Sequence, residues 1–324
     1  MPQSIVPGST EMDPQELRSK LHGVIAFPVT PLKKDLTLDL DGLKNNLEHL
    51  LEQPICAVIA AGGTGEMYSL TPSEHWQVVQ TTLEVVRGKV AVLTAIGFNQ
   101  QLAIQMAQQS AKAGVDGILA FPPYYPNADD EGMRHYYSSI GDATSLGMLI
   151  YARDWVNFGP GFVERLGSIP NLIAWKDGLG DIRRYQMIIN RVGDRLHWIG
   201  GAGDDLAPAY YSLGIRTYTS SIANFAPKLS VEIHETASRG ETERLNHLMS
   251  NYVVPHYSFR ARRKGYEVSV VKSIMDIVGL TGGPVRPPLV NLGEEELVEL
   301  SKMMENWRPF LEPKLVSLRQ HQSP

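Results

Sequence analysis

The chain has 324 residues, is 43% hydrophobic and 20% charged, and carries a net charge of −5 without long runs of one sign. This is an ordinary soluble composition, and it recommends neither nucleic acid nor an anionic membrane as a partner. A single cysteine, Cys56, excludes an internal disulfide framework and fits a reducing, cytoplasmic setting, and no apolar run reaches the ~18 residues of a membrane-spanning helix.

Residues 1–11, "MPQSIVPGSTE", lack the basic start and apolar stretch of a signal peptide and read as a disordered tail. Short apolar runs then recur: "GVIAFPVTP" from Gly23, "AVIAAGG" from Ala57, "VAVLTAIG" from Val90 and "DGILAFPP" from Asp116. They continue with "GMLIYAR" from Gly147, "NLIAWKDG" from Asn171, "LHWIGGAG" from Leu196 and "RTYTSSIAN" from Arg216. Unalternating runs rich in Val, Ile and Ala suit parallel strands covered on both faces. Between them the period becomes helical. Leu40, Leu43, Leu47, Leu50 and Leu51 share one face, and Ile182, Tyr185, Ile188, Ile189 and Val192 share another. Thr71-Pro72-Ser73-Glu74 is a capping box with proline in the first turn. Asp204-Asp205 reads as a cap for the helix that follows it.

Eight strands alternating with helices predict a (β/α)8 TIM barrel over residues 12–238. An open doubly wound sheet is the rival, but no strand is followed by a GxGxxG phosphate turn. Beyond Ser238 only helical patterns remain, so residues 239–312 predict a C-terminal helical region and 313–324 a second tail.

Barrel enzymes build their sites at the C-terminal ends of the strands. There "GGTGE" (Gly62–Glu66) offers closely approachable backbone amides, an anion nest fit for a carboxylate, or simply a tight turn. Lys176 ends an apolar strand. A lysine so placed either snorkels to water or, desolvated, keeps a fraction of neutral amine able to attack a ketone. Tyr151 stands at the same level on the preceding strand, either as a barrel-lining aromatic or as a proton shuttle. Arg153, which could form an ion pair with Asp154 or Asp177, and Thr219 and Ser220 are further polar residues at strand ends. There is no HExxH or CxxC and the nine histidines are scattered, so no metal is expected.

Together "GGTGE", Tyr151 and Lys176 in "WKDG" resemble the dihydrodipicolinate synthase/N-acetylneuraminate lyase superfamily over about Leu21 to Phe310. "AAGGTGE", "WKDGLGD", "RRKGYEVSVVKS" and "GGPVRPPL" look most like its 5-dehydro-4-deoxyglucarate dehydratase branch, although Ala152 and Trp155 stand where that branch usually has asparagines. The resemblance implies a Schiff base between Lys176 and a 2-keto acid or aldarate, with no cofactor. It implies that Gly63 and Thr64 hold the keto acid's carboxylate, that Tyr151 relays protons, that Thr219 and Ser220 hydrogen-bond the departing hydroxyl, and that Arg153 suits the distal carboxylate. The pair in "PPYY" resembles a tyrosine pair of which one ring enters a neighbouring subunit's site, so Tyr125 joins the substrate-binding candidates and a homodimer or tetramer is expected. The synthase's arginine, expected after strand five, is missing from "YARDWVNFGPG". Two other readings stay open: aldol chemistry on the same lysine, or a catalytically silent binding barrel.

Overall fold

A computed structural model describes residues 12–311, so both expected tails, 1–11 and 313–324, lie outside the described residues. Eight parallel strands close into a barrel in sequence order. They are β1 (Gly23–Ala26), β2 (Ala57–Ala60), β3 (Ala91–Ile96), β4 (Gly117–Ala120), β5 (Gly147–Ala152), β6 (Leu172–Asp177), β7 (His197–Gly200) and β8 (Thr217–Ser220). All but β5 and β7 are buried along their whole length, which is why their sequences do not alternate. The strands are shorter than the apolar runs. After Ala26 the chain leaves the ladder through Phe27 and Pro28, and Asn224 clasps it there, donating to Phe27 O at 2.9 Å and accepting from Val29 N at 2.8 Å.

The surrounding helices are α1 (Pro14–Lys20), α2 (Leu40–Leu50), α3 (Pro72–Val86), α4 (Gln100–Ala113) and α5 (Asp130–Asp142). They continue with α6 (Pro160–Leu166), α7 (Ile182–Val192), α8 (Ala207–Ser212) and α9 (Pro227–Arg239). The capping box forms as expected: Thr71 Oγ1 accepts from Glu74 N, and the Glu74 carboxylate accepts from Thr71 N. Helix α1 was not anticipated. It closes the lower end of the barrel, with Leu17 fully buried against Gly117 and Gly147, the first residues of β4 and β5.

One irregularity decides the site. Met148 pairs with Leu172 but Leu149 with Ala174, so Ile173 is an extra residue on β6. A bulge of this kind shifts every later pair by one. Tyr151 is thereby set opposite Lys176, where an unbroken ladder would set it opposite Trp175.

The C-terminal region begins with α10 (Thr242–Leu248), runs through a π-turn at Met249–Val253, and continues as α11 (Val254–Arg260). A proline inside a helix lacks its N–H and clashes with the carbonyl four residues back. The wider π-turn ends just before Pro255 and takes up that conflict without ending the helix. Helices α12 (Tyr266–Val278) and α13 (Glu294–Glu305) complete the fold. This region wraps back over the barrel mouth.

Candidate active site

A cavity of about 600 Å³ opens at the C-terminal ends of the strands. Gly63, Thr64, Tyr151, Arg153, Lys176, Thr219 and Ser220 all line it. Tyr125 does not. It is 70% exposed, outside the cavity, and the neighbouring subunit to which the resemblance assigned its ring is no part of a single chain.

Lys176 is 2% exposed and does not snorkel. Its Nζ donates to Gly201 O at 3.0 Å and lies 3.1 Å from the centre of the Tyr151 ring. Burial, and then the positive charge of Arg153, hold the amine well below the ordinary lysine range. The Tyr151 hydroxyl donates to the same carbonyl, Gly201 O, at 3.3 Å. One backbone oxygen thus gathers an amine and a phenol at one point. Two glycines make the arrangement possible. A Cβ on Gly201 would stand 2.5 Å from Lys176 Cγ, and one on Gly178 would stand 2.8 Å from the Tyr151 hydroxyl oxygen. Sequence reasoning passed over Gly201, because nothing in "GGAG" marks one carbonyl as an acceptor.

Arg153 pairs with Asp154, Nε to Oδ2 at 2.6 Å and Nη2 to Oδ1 at 3.2 Å. Asp177 is taken by Arg184 instead. The remaining Arg153 nitrogen, Nη1, faces the nest, 2.9 Å from where a Cβ on Gly63 would stand. The guanidinium therefore lies beside the Gly62–Glu66 turn, not at a distal end of the cavity as expected for it.

The two hydroxyls at the end of β8 diverge, as neighbours on a strand must. Thr219 Oγ1 bonds Gly200 O at 3.3 Å, next to the Lys176 acceptor. Ser220 Oγ turns outward, bonding Ser230 Oγ at 2.8 Å and accepting from Ala223 N at 2.9 Å. Its hydroxyl is committed to the fold, so the hydroxyl-binding expectation rests on Thr219.

Further contributions come from chain far removed in sequence. Glu66, the last residue of the nest, is buried in the left-handed conformation at φ 57°. Its carboxylate takes Lys272 Nζ at 2.6 Å and Arg286 N at 3.2 Å, and Lys272 also donates to Pro284 O at 2.7 Å. Both members of the pair are 1% exposed. Arg286 in turn grips Glu74 with two nitrogens and donates to Ser69 O and Leu36 O, each at 2.7 Å. The motifs "RRKGYEVSVVKS" and "GGPVRPPL" thus buttress the nest from behind. Asp204 does not cap a helix as expected. Fully buried, its Oδ2 accepts from the Tyr257 hydroxyl at 2.9 Å and from Ser221 N at 3.2 Å. Tyr257 and Arg260 of α11 also line the cavity. Among the described residues no group of three or more His, Cys, Asp or Glu side chains is arranged to hold a metal ion, and no helix is long and apolar enough to cross a membrane.

Residues 20–307 match the model of the dihydrodipicolinate synthetase family. A Bradyrhizobium diazoefficiens protein named "probable 5-dehydro-4-deoxyglucarate dehydratase" is 34% identical over 91% of this chain and 96% of its own. A Saccharopolyspora erythraea protein of the same name is 35% identical over 90% and 96%. The fold matches dihydrodipicolinate synthase from Oceanobacillus iheyensis with a TM-score of 0.87, at 27% identity over 92% of this chain and all of that one. It also matches a monomeric dihydrodipicolinate synthase variant with a TM-score of 0.84, at 25% identity over 93% and 100%.

Proposed function

The chain belongs to the dihydrodipicolinate synthetase family, and from that premise we propose that it is a decarboxylating dehydratase, turning 5-dehydro-4-deoxyglucarate into 2,5-dioxopentanoate, water and CO2 through an imine on Lys176. The observation that carries the reading is the shared carbonyl: Lys176 and Tyr151 both donate to Gly201 O, in a cavity also lined by Gly63 and Thr64. The relatives named for this dehydration support the choice of substrate.

The steps follow from the groups present. The depressed Lys176 amine is neutral enough to attack the C5 ketone. Gly63, Thr64 and the free Nη1 of Arg153 hold the adjoining C6 carboxylate. The Tyr151 hydroxyl carries a proton to the carbinolamine oxygen as water leaves. The iminium acidifies the C4 protons, the Tyr151 oxygen takes one back, and the enamine expels the C3 hydroxyl, hydrogen-bonded by Thr219, which leaves with that proton as a second water. The C1–C2 bonding pair then flows into the conjugated iminium, CO2 departs, and hydrolysis returns the lysine. The iminium is the electron sink, so no cofactor is called for. The same proposal sets the enzyme in the cytoplasm as a homodimer or homotetramer.

The test is stoichiometric. Purified protein should release one CO2 and one 2,5-dioxopentanoate per 5-dehydro-4-deoxyglucarate without added metal or cofactor, and borohydride should fix substrate mass on the Lys176 peptide. Pyruvate consumption that depends on aspartate semialdehyde, with no CO2, would make the chain a synthase. Label on another lysine would overturn the imine assignment.

A further inference from the structure

The proposed substrate has two carboxylates, and the nest with Arg153 accounts for the one beside the ketone. On the β7–β8 side of the same cavity stands a second guanidinium, that of Arg260, the last residue of α11. It stacks on the Tyr257 ring, 4.4 Å from its centre, and Nη1 donates to Ser221 Oγ at 2.9 Å. Arg153, Arg184 and Arg286 each hold a carboxylate of the protein. Arg260, among the described residues, forms no direct ion pair; the carboxyls of Asp204 and Asp205 act on its charge only from a distance. Asp204 is near but otherwise engaged: its Oδ2 fixes Tyr257 and Ser221, the two supports of the guanidinium. Because the Ser221 oxygen accepts from Arg260, its own proton remains to be donated to a guest. Ser221 lies two residues past Thr219, at most about 7 Å further along the chain. Lys176, Thr219, Ser221 and Arg260 line the same cavity, so a keto acid joined to Lys176 has Ser221 and Arg260 on its wall.

We propose that Arg260 and Ser221 form the subsite for the distal carboxylate of a dicarboxylic 2-keto acid and so select an aldarate over a keto acid ending in an alcohol. The inference rests on the Schiff-base dehydratase reading. Hydrogen bonds to a carboxylate weaken as it becomes CO2, so the subsite acts more on affinity than on the bond-breaking rate. Held at one end by the imine and at the other by Arg260, the substrate presents its C1–C2 bond at a fixed angle to the conjugated system.

The experiment compares 5-dehydro-4-deoxyglucarate with the analogue bearing a terminal hydroxymethyl group in place of the distal carboxylate. Each is titrated for borohydride-trapped imine on Lys176, and turnover of the aldarate is followed by CO2. Wild-type protein should prefer the dicarboxylate. Arg260→Met should raise KM for the aldarate on the order of 10–100-fold, with a much smaller change in kcat, and abolish the preference. Ser221→Ala should do so in part, and Arg260→Lys should restore some of it. Pyruvate, which has no second carboxylate, serves as the check that the variants still form an imine. An Arg260→Met protein that traps pyruvate and keeps the wild-type preference overturns the subsite alone. A wild-type protein that traps neither keto acid overturns the Schiff-base reading and the subsite with it.

Discussion

Tyr151 combines packing with a proton-bearing hydroxyl, and a single substitution separates the two. Its ring faces Lys176 Nζ and fills the space left by Gly178, while its hydroxyl reaches Gly201 O. Tyr151→Phe keeps the ring and removes only the hydroxyl. Loss of a general acid–base typically slows turnover about 10²–10⁴-fold, so steady-state kinetics should show kcat falling by that order while KM moves only a few-fold. A variant with near-normal kcat would reduce Tyr151 to a packing aromatic. At this scale the sequence was informative wherever a side chain ended an apolar run. Lys176, Tyr151 and Thr219 could be listed because strand ends are where barrels work. It was uninformative where orientation mattered, since Ser220 differs from Thr219 only in which side of the strand it faces.

Arg286 sits on a strap of chain between α12 and α13 that ties separate segments together, and its pH dependence has a definite sign. The Arg286 guanidinium, the largest influence, holds the Glu74 carboxyl at about 2, below an ordinary 4.5. A carboxylate depressed on folding adds stability above its unfolded pKa and loses it as pH falls toward the folded value. The contribution is therefore full above about 4.5 and fades toward about 2. Urea unfolding of wild type and Arg286→Met should differ most near neutral pH, and the gap should narrow through that window. A gap constant with pH would mean that the contacts with Leu36 and Ser69, not Glu74, matter. The helices and strands of this architecture were legible because their periods are local. The strap was not. Lys272 meets Glu66 across 206 residues and Arg286 meets Glu74 across 212, and no local pattern announces a partner so distant. The bulge at Ile173 is equally silent in "NLIAWKDG", although it decides that Tyr151 faces Lys176.

Across the whole molecule, the barrel and the C-terminal helices share one interior. Trp307 is fully buried against Phe225, Tyr252 and His256, with ring centres 5.4 to 6.0 Å away. Unfolding in urea should accordingly be one transition, with tryptophan fluorescence and far-ultraviolet dichroism coincident. Removing one member of a buried ion pair costs about 3–5 kcal/mol because the other is left uncompensated. Lys272→Met should therefore displace both curves together by roughly that amount, and curves that part would show two separately melting units. The Glu66–Lys272 pair also bears on recombination. A chimera spliced after α9 takes the Gly62–Glu66 turn from one parent and the wall behind it from another. Where the second parent has no cation at the position of Lys272, the hybrid inherits a stranded acid at the end of the Gly62–Glu66 turn, on the wall of the cavity. Loop grafting between members of this family has to exchange the two positions as a single allele, however far apart they lie in the gene.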